Sequence, residues 1–290
     1  MDFSIELYGM LATHGLVYGM LIFLVASGLT IVFGMMGVLN FAHASFYMLG
    51  AFIAYTVTVR LGNFWLSLII SPAIVGVLGI IIERFLLRKT YKIGPAAQLL
   101  LTFGLLFIIN ELVRIVWGSS VLAVETPALL SGDVQLFGSP YPVYRLFILG
   151  VSFAVLGAMA LLLLKTRIGI IIRAAVTDAN MVEALGTNVP RVFLAVFGGG
   201  AAVAALAGVI AAPFLTLHLD LGNQALMDCF SVIVIGGFGS LLGAFVAALM
   251  IGELQSFGVL WIPRLALVFQ FLLMAVVLIV RPAGLFGEKE

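Results

Sequence analysis

The sequence predicts an all-α, polytopic membrane protein with eight or nine transmembrane segments, two glycine-rich breaks and a parallel internal repeat. Three observations carry this. Hydrophobic residues make up 63% of the 290 residues, charged residues only 9%, and mean hydropathy is +1.27; a soluble domain carries about 25% charge. Apolar runs of about 20 residues, the length that crosses a bilayer as a helix, recur along the chain. The few charges gather in short connections between those runs.

The segments fall at residues 11–35, 45–59, 64–82, 94–117, 143–164, 192–213, 225–235, 241–257 and 265–280. The second and seventh are short, and each adjoins a break, Gly34-Met35-Met36-Gly37 or Gly236-Gly237-Phe238-Gly239. Fusing or dropping one gives eight crossings. The chain reads as one transmembrane domain over 1–290, with a charged loop at 165–191.

Basic residues favour the cytoplasmic side of short loops. With nine segments and the N-terminus outside, Arg84, Arg88, Lys89, Lys92, Lys165, Arg167, Arg173, Arg191, Arg281 and Lys289 fall inside. Only Arg60, Arg145 and Arg264 fall outside, ten against three. Asp2, Glu6, Glu125, Asp133 and Asp220 then lie outside, as does the longest external loop, 118–142. The first residues carry acidic groups and no basic stretch, so a cleavable signal peptide is not expected.

Loop 165–191 holds four of the fourteen Lys and Arg and an amphipathic helix expected over 174–185, ending at Gly186. A short amphipathic helix on the inner face suggests a pore driven by a separate soluble engine. The hexapeptide at 49–54 (LGAFIA) recurs at 242–247 (LGAFVA), an offset of 193 that also pairs Arg88 with Arg281. Segments one to three thereby map on seven to nine, a habit of transporters whose sites lie at discontinuous helices.

Asn40, His43 and Ser45 lie in the first break. Backbone unpaired at membrane depth survives only where protein or a watered path satisfies it. Two readings stand: these residues line a substrate path, shaped from the other half by Gly236, Gly237 and Gly239, or they cap helix ends. Glu111 and Arg114 share a helix face and read as a local ion pair. Of His218, Asp220, Asn223 and Asp228, which precede the second break, most read as external loop or helix caps. Ser231, Gln255 and Gln270 could hydrogen-bond between helices, and Gly198-Gly199-Gly200 suits close packing. Glu111, Asp228 and Glu253 are the carboxylates an ion-coupled transporter would need.

A net charge of +1 gives no case for nucleic-acid binding. One cysteine, Cys229, excludes an intrachain disulfide, and no zinc spacing occurs. The sequence has no phosphate-binding loop, serine-protease elbow or His-Glu-x-x-His motif. No enzyme activity, cofactor or metal is expected.

Residues 28–52 (GLTIVFGMMGVLNFAHASFYMLGAF), 173–192 (RAAVTDANMVEALGTNVPRV), 233–249 (IVIGGFGSLLGAFVAAL) and 281–287 (RPAGLFG) together resemble the LivH-type permeases, the membrane subunits of branched-chain amino acid ABC importers. The resemblance covers essentially the whole chain. It implies half of an alternating-access pore in a bacterial inner membrane, N-terminus periplasmic and C-terminus cytoplasmic. It implies as partners a second, LivM-like permease, two cytoplasmic ATPases that hydrolyse ATP, and a periplasmic substrate-binding protein that largely sets specificity. Related importers carry urea, short amides or aromatic acids. By resemblance the ATPase-coupling residues are Arg173, Ala174, Ala175, Asp178, Glu183, Ala184, Leu185 and Gly186. One departure is His43-Ala44, where these permeases commonly have His-Gly; alanine restricts the backbone more than glycine. The alternative is an ion-coupled secondary transporter of small polar solutes.

Overall fold

The computed structural model describes residues 5–287; Asp2 and Lys289 lie outside the described residues. The chain folds into eleven α-helices among the described residues and one β-hairpin. The helices are α1 (Ile5–Met36), α2 (His43–Leu61), α3 (Phe64–Phe85), α4 (Pro95–Trp117), α5 (Val143–Lys165), α6 (Arg167–Thr177), α7 (Ala179–Ala184), α8 (Val189–Ala211), α9 (Leu221–Gly236), α10 (Leu241–Trp261) and α11 (Ala266–Val280). Strands β1 (Asp133–Leu136) and β2 (Ser139–Pro142) pair antiparallel in the α4–α5 connection. Helices α1–α5, α8 and α10 are long and apolar enough to cross a membrane, and α9 is a shorter apolar helix, as is α11. This is a multi-pass membrane protein.

The termini follow local chemistry. Asn63 caps α3, its Oδ1 accepting from the backbone N–H groups of Trp65 at 2.9 Å and Leu66 at 3.4 Å. Ser240 caps α10 through Gly243, and Asn188 caps α8 through Arg191. The expectation of a short second segment is corrected. Helix α2 has 19 residues, and the shorter apolar helices are α9 and α11.

Connections place two ends on the molecule. One, the hairpin face, gathers β1–β2, the start of α1 and the ends of α8 and α10. There the 118–142 loop bridges Leu122 to Leu217, Tyr144 donates to the Ile210 carbonyl, and Ser256 donates to that of Leu11. The other, the basic face, gathers the α3–α4 turn, α6 and α7.

Helix α1 is the axis: its most apolar stretch is 78% buried, against 11% for α5 at the periphery. Small residues let backbones close on one another, as packing within lipid requires. A Cβ on Gly200 would sit 3.0 Å from the Gly28 carbonyl, and one on Gly76 3.3 Å from that of Gly198. Gly199 faces open space. Helix α8 is thereby wedged among α1, α2 and α3.

The 193-residue offset does not align these helices in depth. Leu49 lies in the second turn of α2, whereas Leu242 is the second residue of α10. The helix-starting breaks end at His43 and Leu241, further apart than the hexapeptides.

Candidate functional site: a re-entrant break beside a pocket

The first break is re-entrant. His43 lies against α1 at the level of Val25 and Gly28, its Nε2 3.1 Å from the Val25 carbonyl oxygen. At 1.5 Å per residue, α1 runs about 16 Å further toward the basic face from Val25 before ending at Met36. The chain then climbs back through residues 37–42 and starts α2 inside the span. The Leu39 carbonyl is met there by the Thr102 hydroxyl of α4 at 3.2 Å. Ala44 lies in the first turn of α2 with helical backbone, so alanine in place of glycine meets no strain there.

Asn40, His43 and Ser45 are 2%, 1% and 1% exposed. Asn40 Nδ2 and Oδ1, His43 Nδ1 and Ser45 Oγ have no protein partner among the described residues. Helix α2 starts with Ala42 as its cap and no side-chain capping bond. Neither Asn40 nor Ser45 is therefore a cap in this conformation. Buried polar groups without partners are few in native proteins and call for an explanation.

Toward the hairpin face, between α1, α2 and α9, lies a cavity of about 110 Å³. Leu21, Ile22, Val25 and Leu221 make its apolar wall, and Tyr47 of α2 closes it near the break. Its polar groups are Tyr18, Gln224 and Asp228, and the Tyr18 hydroxyl donates to Asp228 Oδ2 at 3.2 Å. Asp228 is half-buried within α9. Its neighbour Ser231 accepts from the Gln270 amide of α11 at 2.9 Å, an interhelical bond of the expected kind.

The second break is placed differently. Gly236 packs on Gly243, and Gly237 on the backbone of residues 283–287. Leu285 and Phe286 donate backbone N–H groups to Ile235 and Gly236. A Cβ on Gly34 would lie 2.8 Å from Gly239 Cα, and the Phe33 and Phe238 rings meet tilted at 43° with centroids 4.7 Å apart. This break sits at the basic-face end of α1, about two turns below the level of His43. The structure does not bring Gly236, Gly237 and Gly239 together with Asn40, His43 and Ser45.

On the basic face the expected single helix over 174–185 is two helices. Asp178 ends α6 in extended backbone and caps α7, its Oδ1 accepting from Met181 N–H at 2.9 Å. An aspartate favours that capping geometry over continuing the helix. Helix α7 closes with Gly186 at φ +87°, Thr187 donating to Val182 and Gly186 to Glu183, a left-handed stop that suits glycine. Arg173, Ala174, Asp178, Glu183, Ala184, Leu185 and Gly186 are exposed, and Ala175 is buried. Arg173 donates to the Leu163 carbonyl at the end of α5. Met181 is 58% and Leu185 79% exposed, so this surface presents apolar side chains beside carboxylates.

Sequence reasoning missed Glu83. It is fully buried near the basic-face end of α3, yet holds Arg88 at 2.7 and 3.1 Å and accepts from the Tyr91 hydroxyl at 3.1 Å. Arg88 Nη2 also donates to the Pro190 carbonyl, 3.0 Å away at the start of α8. Burial first, then the Glu83 carboxylate, pushes the Tyr91 hydroxyl above its ordinary range. The clustering of Glu83, Arg88 and Tyr91 within nine residues at the end of α3 was the available signal. Glu111 and Arg114 pair at 2.7 Å on the exposed face of α4, a local pair as expected.

Comparison with known proteins agrees with this architecture. Residues 11–278 match the family described as branched-chain amino acid transport system / permease component. The high-affinity branched-chain amino acid transport system permease protein LivH of Salmonella typhimurium is 28% identical over 96% of this chain and 94% of its own. BraD of Pseudomonas aeruginosa, described in the same terms, is 30% identical over 96% and 95%. A probable LivH of Methanocaldococcus jannaschii is 25% identical over 85% and 80%. No solved structure matches. A match spanning nearly the whole chain places this protein in the branched-chain amino acid transport permease family.

Proposed function

We propose that the chain forms half of the translocation pore of an ATP-driven importer for branched-chain or related amino acids. It lies in a bacterial inner membrane with nine crossings, N-terminus periplasmic, hairpin face outside and basic face in the cytoplasm. The observation that carries the reading is the exposed α6–α7 pair, apolar at Met181 and Leu185, in a chain with no phosphate-binding loop. Such a surface suits a soluble ATPase that supplies the energy the chain itself lacks. A second LivM-like permease, two ATPases and a periplasmic binding protein complete the assembly.

Mechanically, α7 leads directly into α8, and Arg88 ties the start of α8 to α3. Helix α8 meets its neighbours backbone to backbone, so a push at its base is passed on rather than absorbed. The pocket on the hairpin side would receive substrate. Its floor, at Val25, Tyr47 and His43, would then open toward Asn40 and Ser45, whose orphaned polar groups would find water or substrate in the inward state. Gly236, Gly237 and Gly239 act in this reading as a hinge under the same path.

Purification of the tagged chain from its native membrane tests this. Two ATPase subunits should accompany it, and uptake into proteoliposomes should require ATP and a binding protein. The second reading, ion-coupled transport, is favoured by Asp228, a carboxylate at membrane depth. Uptake by the chain alone, driven by an ion gradient without ATP, would establish it and displace the first.

A further inference from the structure

We propose that the pocket between α1 and α9 is a binding site for a small aliphatic ammonium compound, Asp228 taking the ammonium and Leu21, Ile22 and Val25 the hydrocarbon. This deepens the reading of the chain as half of an amino-acid pore and rests on it. It goes beyond that reading because a pore fed by a binding protein needs no recognition site of its own.

Several observations converge. Asp228 is half-buried in a membrane-spanning helix, where an ionised carboxylate is costly without a counter-charge. The ion pairs among the described residues are Glu83–Arg88 and Glu111–Arg114, and neither involves Asp228. The Tyr18 hydroxyl donates to it at 3.2 Å and brings no charge, and the Gln270 amide is turned to Ser231 and the Met227 carbonyl. Among the described residues no cation pairs with Asp228, and its carboxylate opens into a cavity where a ligand cation can reach it.

That cavity selects the shape of the cation. Across the cavity on α1 stand the branched side chains of Leu21, Ile22 and Val25, which discriminate against hydrated metal ions and reward a hydrocarbon tail. The Tyr18 and Tyr47 rings line the same space and suit an organic ammonium. About 110 Å³ is somewhat less than the cavity of about 150 Å³ that holds benzene in an engineered protein. A four- or five-carbon branched chain and its amine are of that scale, and a carboxylate on the same molecule would point to the mouth. There Gln224, one turn from Asp228 on α9, lines the pocket with its amide Nε2 3.5 Å from Asp220 Oδ2.

The test is protection of a cysteine in the pocket wall, in membranes holding the complete transporter. Leu215 lines the pocket just after α8, and Leu215→Cys in a Cys229→Ser background is labelled with methyl methanethiosulfonate, a small neutral reagent. Leucine and 3-methylbutylamine should slow labelling, about tenfold at ten times their Kd because only the empty fraction reacts. 4-Methylpentanoate, which has the tail and carboxylate but no amine, should leave it unchanged. Asp228→Asn should abolish protection, and Tyr18→Phe should weaken it. Equal protection by 4-methylpentanoate, or none by leucine or the amine, overturns the proposal without needing any variant at Asp228. ATP-driven uptake that persists in that case leaves the importer reading standing. Protection found in a chain whose uptake ignores ATP keeps the site and removes the importer reading.

Discussion

Removing the Glu83 carboxylate should loosen the base of α8. Glu83→Ala leaves the Arg88 guanidinium without its two bonds and the Tyr91 hydroxyl without its acceptor. Taking one partner from a fully buried ion pair costs about 3–5 kcal/mol. Arg88 is 33% exposed, so water recovers part of that loss, and the expected cost is about 2–3 kcal/mol. By the scaling for domains of 150–250 residues, thermal unfolding of the purified complex in detergent should fall by about 5–10 °C. Glu83→Gln keeps an acceptor and should lose less. The pair Glu83→Leu with Arg88→Met should recover most of the stability, because apolar replacements of a buried pair are often neutral. It should not recover uptake, since the link from Arg88 to the Pro190 carbonyl is gone. Refutation would come from Glu83→Ala unfolding at the parent temperature with parental uptake. Full uptake by the apolar pair would spare the stability argument and defeat the coupling role.

Gly208→Val drives a side chain into the Tyr47 carbonyl and the Ala51 nitrogen of α2; it should cost about 1–3 kcal/mol or more by overpacking and lower folded yield, whereas Gly199→Ala, facing open space, should be silent. Gly186→Leu meets no neighbour but must adopt φ +87°; the strain of about 1–2 kcal/mol should unravel the α7 stop, and uptake should fall more than ATP hydrolysis. Glu183→Lys should weaken ATPase association, read by copurification. In a Cys229→Ser background, Ser131→Cys should react with an impermeant thiol reagent from the periplasmic side and Thr177→Cys should not; both residues are exposed, so the reverse pattern inverts the topology. Asn40→Ala should assemble normally and lose uptake, while loss of folded protein would make Asn40 a structural residue.

The all-α membrane architecture and the family were legible in the sequence because both are written in one dimension. Apolar length reports a span, glycine and proline report its ends, and contiguous motifs such as residues 28–52 report descent. Asn63, Asn188 and Ser240 cap the helices they precede, which needs only neighbours a few residues away. The division at Asp178 was also local, yet the amphipathic pattern continues across it and hid the cap. What only the tertiary structure decided involves residues far apart in the chain. Asn40, His43 and Ser45 read equally well as caps or path from sequence, and only the packing starts α2 midway along α1 and leaves Asn40 Nδ2 and Oδ1, His43 Nδ1 and Ser45 Oγ buried and unpaired. Asp228 joins Tyr18 across 210 residues, and Arg88 reaches Pro190 across 102. The two glycine breaks look alike in sequence and their backbones meet at Gly34 and Gly239, but only the first continues as a loop that carries His43 back to the level of Val25 and Gly28. In a chain where nearly every residue is apolar, composition says what is in the membrane, and only packing says which small or polar residue meets which.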